Sequence, residues 1–345
     1  MTTRMDPIAL SRALRQRFQP TQQQAQVIGA DPGPLLVVAG AGAGKTETMA
    51  ARVVWLVANG YARPDQVLGL TFTRKAAREL EQRIRDRLGV LAADRNLVYR
   101  LDPSGALADG LAAIAPTVST YDAYAGDLIR EYGLLVPVEP DARLITAAEL
   151  HAIASDVVTD YTGKLIPEEG NNPAPNTVVD NVLGLMTSMG NELATPFDVR
   201  TDAQTFLRES ASLERSSRSK VEYSQKLAGW RNKQQERIDY LPLAQELKQE
   251  LRRRGVVTFN EQMSVAAAMA RDHRAVGEGQ RRRFKVVMLD EYQDTSHAQR
   301  VLLRSLFGGS HDAGLTVTAV GDPMQAIYTW RGATAANLEA FVEDF

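Results

Sequence analysis

Leu35-Leu36-Val37-Val38-Ala39-Gly40-Ala41-Gly42-Ala43-Gly44-Lys45-Thr46 opens as an apolar run, breaks into alternating small residues and ends on a lysine and a hydroxyl. An apolar run of this length, closed by glycine, reads as a buried parallel strand entering a tight turn. Lys45 to Ala58 then carries a helical pattern that Asn59-Gly60 stops. Strand, glycine-rich turn and helix in that order form the setting of a phosphate-binding loop. The glycines let backbone amides converge on phosphate oxygens, and the helix N-terminus adds positive potential. Lys45 is placed to reach β and γ phosphates and Thr46 to hold Mg²⁺. The expected ATP contacts are therefore Ala39, Gly40, Ala41, Gly42, Ala43, Gly44, Lys45 and Thr46, with Ala39 standing where the strict pattern has glycine.

Working outward, Val67 to Thr71, Val286 to Leu289 and Thr316 to Val320 are further apolar runs of strand length, each ending in polar or glycine residues. The first of them leads into a helical pattern, Arg74 to Leu88, stopped at Gly89. Strands alternating with helices predict an α/β fold with a parallel sheet and a ligand site at the strand carboxyl ends. Between Thr146 and Gly255 helical periodicity takes over, as in Ala147 to Tyr161 and Lys220 to Arg254. Strand-like runs resume after Gly255, so the helical part is an insertion. The expected division is 1–115 and 256–345 for the nucleotide-binding domain and 116–255 for a mainly helical subdomain. Leu91 to Pro116 and Ile166 to Val178 read as loops or partly ordered connections.

The chain has 345 residues, long enough for two cores, since single cores stop growing near ~250 residues. Its 44% apolar and 24% charged content is that of an ordinary soluble protein, with no run long enough to span a membrane and no apolar signal segment at the start. A cytoplasmic protein is expected. The absence of cysteine excludes disulfides, zinc fingers, iron–sulfur clusters and thiol chemistry from this chain. A net charge of −2 does not point to nucleic acid, although Arg252-Arg253-Arg254 and Arg281-Arg282-Arg283-Phe284-Lys285 are local basic runs.

Val286-Val287-Met288-Leu289-Asp290-Glu291 delivers two adjacent carboxylates to the end of a buried strand. Phosphoryl transfer to water needs one acid in the magnesium shell and another to orient and deprotonate the nucleophile. Asp290 is assigned to Mg²⁺ beside Thr46, and Glu291 to the water. The second acid points to hydrolysis and away from kinase chemistry.

Asp290-Glu291-Tyr292-Gln293-Asp294-Thr295 resembles motif II of the UvrD-type superfamily 1 helicases, and the remaining motifs fall in that family's order. Gln19-Pro20-Thr21-Gln22-Gln23 is similar to the Q motif, and Thr71-Phe72-Thr73-Arg74-Lys75-Ala76-Ala77 to motif Ia. Gly321 to Ala333, with Gln325, Tyr328, Trp330 and Arg331, resembles motif III. The resemblance implies a RecA-like P-loop domain using ATP and Mg²⁺ to move 3′ to 5′ along single-stranded DNA in repair or recombination. It implies that Gln22 reads adenine and that Gln325 senses the γ-phosphate, joining Lys45, Asp290 and Glu291 in catalysis. It further implies that Phe72, Tyr121, Tyr328, Trp330 and Arg331 meet DNA, with Trp330 and Phe72 stacking on bases.

Two positions depart from the family pattern: Glu47 replaces a common arginine, and Asp122, within Thr120-Tyr121-Asp122-Ala123-Tyr124, replaces a histidine. Tyr121 to Gly126, Gly44 to Thr48 and Val257 to Gln262 look most like an AdnB-type actinobacterial helicase-nuclease subunit, which would bring a partner subunit. The resemblance reaches Phe345, just past motif III, so the second motor domain and its cross-cleft arginines are expected to be absent. Alone, the chain is then expected to bind ATP and scarcely hydrolyse it. The rival expectation is a non-catalytic, nucleotide-switched DNA-binding subunit whose partner completes the site.

Overall fold

The computed structural model describes residues 4–113, 115–136, 142–163, 173–213, 223–309, 314–326 and 336–345. The chain divides into two compact units, Met1–Leu135 with Ala266–Phe345, and Val136–Val265. In chain order the first unit begins with helices α1 (Pro7–Ala13) and α2 (Gln22–Ile28), strand β1 (Pro34–Val38) and helix α3 (Lys45–Ala58). Strand β2 (Val67–Thr71), helices α4 (Arg74–Ala93), α5 (Arg95–Leu101) and α6 (Ala106–Ala113), strand β3 (Thr117–Thr120) and helix α7 (Tyr121–Tyr132) follow. The second unit holds β4 (Arg143–Leu144), α8 (Ala147–Asp160), α9 (Pro175–Glu192), α10 (Pro196–Ala211), α11 (Gln225–Arg253) and β5 (Val256–Val257). Helix α12 (Phe259–Asp272) leads back to the first unit, which closes with α13 (Arg274–Arg283), β6 (Val286–Leu289), α14 (His297–Phe307), β7 (Thr316–Gly321), α15 (Ala336–Glu339) and α16 (Phe341–Asp344).

Among the described residues the central sheet is parallel, in the order β1-β7-β6-β2-β3. Each of β2, β6 and β7 is buried along its whole length, as continuous apolar runs between helix layers must be. The register pairs Val38 with Gly321, and Leu289 with both Leu70 and Ala319. The loop after β1, the acids after β6 and Asp322 after β7 therefore leave the sheet side by side. This is a RecA-like α/β arrangement. The second unit has its own core, in which Ile153, Val178, Val182, Leu243 and Leu247 pack together.

Several local expectations change. Helix α4 runs through Gly89 to Ala93, because Leu80, Ile84, Leu88 and Leu91 continue one buried face across the glycine. Leu91 to Pro116 is helical over most of its length: Asp94 caps α5 by accepting from the Leu97 amide at 2.9 Å, and Asp102 accepts from the Leu107 amide at 2.7 Å. The expected loop ending at Val178 gives way at Pro175, where the proline occupies the first turn of α9, the position where its missing N–H costs nothing.

Arg52 of α3 is fully buried between α2 and the sheet. Its guanidinium donates to Thr318 Oγ1 at 3.0 Å and to the carbonyls of Val27, Ile28, Ala30 and Asp31 at 2.8, 3.2, 2.9 and 3.4 Å. One cation thus serves several carbonyls at the end of α2, where the helix leaves them short of intrahelical donors. Burial lowers its pKa to about 10, so it stays charged at neutral pH.

Candidate active site

Gly42 and Gly44 have φ of 75° and 78°, a left-handed backbone that costs other residues about 1 kcal/mol or more. Gly44 is the N-cap of α3 and supplies no side chain to it, so the first amides of the helix point outward without a cap. Gln24 holds the loop from α2, donating from Nε2 to the Ala43 carbonyl at 3.0 Å. Its Oε1 accepts from the Thr21 amide at 2.9 Å, which closes a capping box. Gln22 stands beside it, exposed at the first position of α2. A pocket of about 160 Å³ adjoins the loop and is lined in part by Phe18, Gln19, Gln24, Glu47 and Thr48. Glu47 is paired with Arg83 at 2.9 Å and with Arg87, which also donates to the Glu47 carbonyl at 3.2 Å.

Asp290, at the end of β6, is 6% exposed. Burial, and then the charge of adjacent Glu291, pushes its carboxyl up to about 6, while the Glu291 amide and Lys45 pull the other way. Glu291 itself is left-handed, with φ 50°. This conformation turns its carboxylate toward the phosphate loop, where Oε2 lies 3.6 Å from Lys45 Nζ. The same oxygen accepts from Gln293 Nε2 at 2.9 Å. Gln293 in turn accepts from the Asp322 amide at 3.0 Å, and Asp322 accepts from the Met324 amide at 2.9 Å and from the Gln325 side chain. A continuous polar chain, Lys45–Glu291–Gln293–Asp322–Gln325, thus crosses the ends of three strands.

Gln293 and Asp322 were not among the candidates read from the sequence. Asp322 had a usable signal, since it ends a buried strand just as Asp290 does. Gln293 had none, because only the fold aims its amide across to β7.

Phe72 is half-buried and packs on Tyr121, with ring centroids 4.9 Å apart at 53°. Tyr121 is a correction: at 2% exposure it has no face for a base, and its hydroxyl donates to the Asp290 carbonyl at 3.1 Å. Burial, and then Asp290, raises its phenol well above the usual range, so it remains a donor. It supports Phe72 and motif II from beneath. Tyr328, Trp330 and Arg331 lie outside the described residues.

Among the described residues there is no group of three or more His, Cys, Asp or Glu that suits a metal ion. Mg²⁺ does not need one, because it keeps several waters and takes phosphate oxygens beside one or two protein carboxylates. A threonine hydroxyl and a buried carboxylate short of compensating charge fit that demand. Lacking a cation, Asp290 destabilises the folded chain. Its folded pKa of about 6 exceeds its ordinary 3.8, so stability falls as pH rises between those values and the full penalty is present at pH 7.5. Asp290→Asn is therefore expected to stabilise the chain by about 3 kcal/mol at pH 7.5 in EDTA. The gain should vanish toward pH 4. Thermal melts at the two pH values check this, and a parent more stable than the variant at pH 7.5 would refute it.

A parallel sheet with a phosphate loop after its first strand and paired acids on an inner strand defines a P-loop nucleotide-binding domain. The UvrD/REP helicase N-terminal domain model matches residues 20–345, and the chain belongs to that family. It is 28% identical over 336 residues to ATP-dependent DNA helicase UvrD1 of Mycobacterium bovis, covering 94% of this chain and 35% of the relative. Against UvrD1 of Mycobacterium leprae it is 26% identical over 339 residues, with the same coverage of each chain. Against ATP-dependent DNA helicase PcrA of Staphylococcus aureus it is 25% identical over 323 residues, covering 94% of this chain and 36% of the relative. The chain thus spans about a third of the length of these relatives. No helix among the described residues is long and apolar enough to cross a membrane.

Proposed function

We propose that this chain is the ATP-binding N-terminal part of an ATP-dependent DNA helicase that translocates 3′ to 5′ on single-stranded DNA in repair or recombination. The observation that carries the reading is the polar chain from Lys45 through Glu291, Gln293 and Asp322 to Gln325. It links the phosphate loop to the strand whose following segment resembles the DNA-coupling motif. In this reading Ala39 to Thr46 wrap the phosphates, Lys45 meets the β and γ phosphates, and Gln22 reads the adenine from beside the pocket at Phe18 and Glu47. Thr46 and Asp290 hold Mg²⁺, whose chemistry is to neutralise charge on the phosphates. Glu291 takes the proton of the attacking water, and Gln325 reports the γ-phosphate. Phe72, Trp330 and Tyr328 stack on bases and Arg331 contacts the strand, a mode that tolerates any sequence. The direction of movement rests on the resemblance to UvrD-type enzymes.

The finer kinship, with an AdnB-type subunit and a nuclease partner, is supported by Tyr121 to Gly126, Gly44 to Thr48 and Val257 to Gln262. A second reading, a nucleotide-switched DNA-binding subunit that needs a partner to complete the ATPase site, has the same binding residues and differs in turnover.

Lys45→Ala is expected to weaken binding of a fluorescent ATP analogue with Mg²⁺ by about tenfold to a hundredfold, the worth of a charge-assisted contact to phosphate. Fluorescence titration of the chain measures it. Affinity that is indifferent to Lys45 would exclude both readings.

A further inference from the structure

Helix α11 runs for 29 residues, and one seam recurs along it at alternating spacings of four and three, which keep to a single face. In its second half the seam is Tyr240, Ala244, Leu247 and Leu251, all buried in the core of the helical unit. In its first half the same seam is Lys226, Trp230, Lys233 and Arg237, all exposed. Where the seam leaves the core, its apolar residues give way to three cations around an indole that is 48% exposed.

The neighbouring helix does not cover this strip. Arg231, about 100° around the helix from Trp230, faces α10, donating to the Leu207 carbonyl at 2.6 Å and to the Ser210 hydroxyl. None of the four seam positions is an acid: Glu236 flanks the strip, about 60° around from Lys233 and 100° from Arg237, and Asp239 lies about 200° around from Arg237. Lys226 Nζ sits 5.0 Å from the centre of the Trp230 ring, so its head lies at the strip, and Arg237 donates to Gln234 at 3.2 Å, beside it.

We propose that this exposed half-seam is a nucleic-acid contact, distinct from the motif residues: Lys226, Lys233 and Arg237 meet successive phosphates of a single strand, and Trp230 stacks on a base between them. The inference rests on the reading that the protein acts on DNA. From Lys226 to Arg237 the helix rises about 16 Å, the reach of a few nucleotides. Cations with an aromatic among them and no acid in the strip match a backbone with bases alongside. A purely solvated helix end has no use for a half-exposed indole in line with a core seam.

The test compares the chain with Lys226→Gln/Lys233→Gln/Arg237→Gln and with Trp230→Ala, using fluorescence anisotropy of a labelled 20-nucleotide single strand over a range of salt. The triple variant is expected to bind about tenfold more weakly near 0.1 M salt, with the slope of log affinity against log salt reduced by about 2. Trp230→Ala should lose about fivefold or more. ATP-analogue binding and melting temperature should match the parent, and Lys226→Arg/Lys233→Arg/Arg237→Lys should keep the parent's affinity. Variants that bind the strand with the parent's affinity and salt slope would overturn the inference, assign the strip to solvent or to an acidic protein surface, and leave the DNA reading standing. A parent that binds no oligonucleotide would remove the DNA reading itself, and this inference with it.

Discussion

Glu291→Gln is expected to lower ATP turnover, in the protein that carries this chain, by about 10²- to 10⁴-fold, the usual worth of a positioned general base. The effect should fall on turnover and not on affinity, which should stay within about threefold, since an amide can still accept from Gln293 through its oxygen. The geometry explains the selectivity. Burial of β6 and the left-handed turn at Glu291 hold the carboxylate 3.6 Å from Lys45, beside the place where phosphate would sit. Removing this charge should also lower the pKa of Asp290, whose second cause of elevation is Glu291. Steady-state turnover with single-stranded DNA measures the first effect. A loss smaller than tenfold would place the base elsewhere, and a parent with no turnover would favour the binding-subunit reading.

Arg52→Met is expected to cost about 3 to 5 kcal/mol, the scale for removing one side of a buried charged network. In a unit of this size that is a fall in melting temperature of about 10 °C. The loss is large because a methionine takes a donor from Thr318 and from the carbonyls of Val27, Ile28 and Ala30 in a buried place. Arg52→Lys should recover only part of it, because a single ammonium cannot reproduce the planar fork. Helix α2 also carries Gln22 and Gln24, so ATP affinity should fall alongside stability. A cost below 1 kcal/mol would show that water reaches these carbonyls.

Four strands of the central sheet were legible as mainly apolar runs: β2, β6 and β7 because they are buried along their length, and β1, half-buried at the sheet edge, through Leu-Leu-Val-Val. The strand Thr117–Thr120 was not, since Thr-Val-Ser-Thr has a single apolar residue and is half-buried at the sheet edge. Its neighbours α5 and α6 are short, and Asp94 at the cap of α5 and Asp102 just ahead of α6 are a signal easily read as turn. The phosphate loop and the paired acids were plain in the sequence because their chemistry demands fixed residue types at fixed spacing. Side-chain direction was less accessible: Tyr121, chosen as a surface for DNA, points inward, and Gln293 was passed over.

The contiguous basic runs, a weak sign of nucleic acid in a chain of net charge −2, are tied to local partners. Arg253 and Arg254 pair with Glu250, Arg254 also with Asp156, Arg281 donates to the Leu306 carbonyl, and Arg283 faces Glu131 at 3.7 Å. Contiguous arginines thus serve local structure. The cations of α11 that share an exposed face are spread over twelve residues, Lys226 to Arg237, and show only at helical spacing.

A motor domain must make its nucleotide and DNA sites aware of each other, and such linkage is reciprocal. The direct measurement is the affinity of the chain for a non-hydrolysable ATP analogue with Mg²⁺, titrated without and with saturating single-stranded DNA. The polar chain from Lys45 to Gln325 predicts a shift of about fivefold or more that Lys45→Ala abolishes. An affinity that is the same with and without DNA would contradict it.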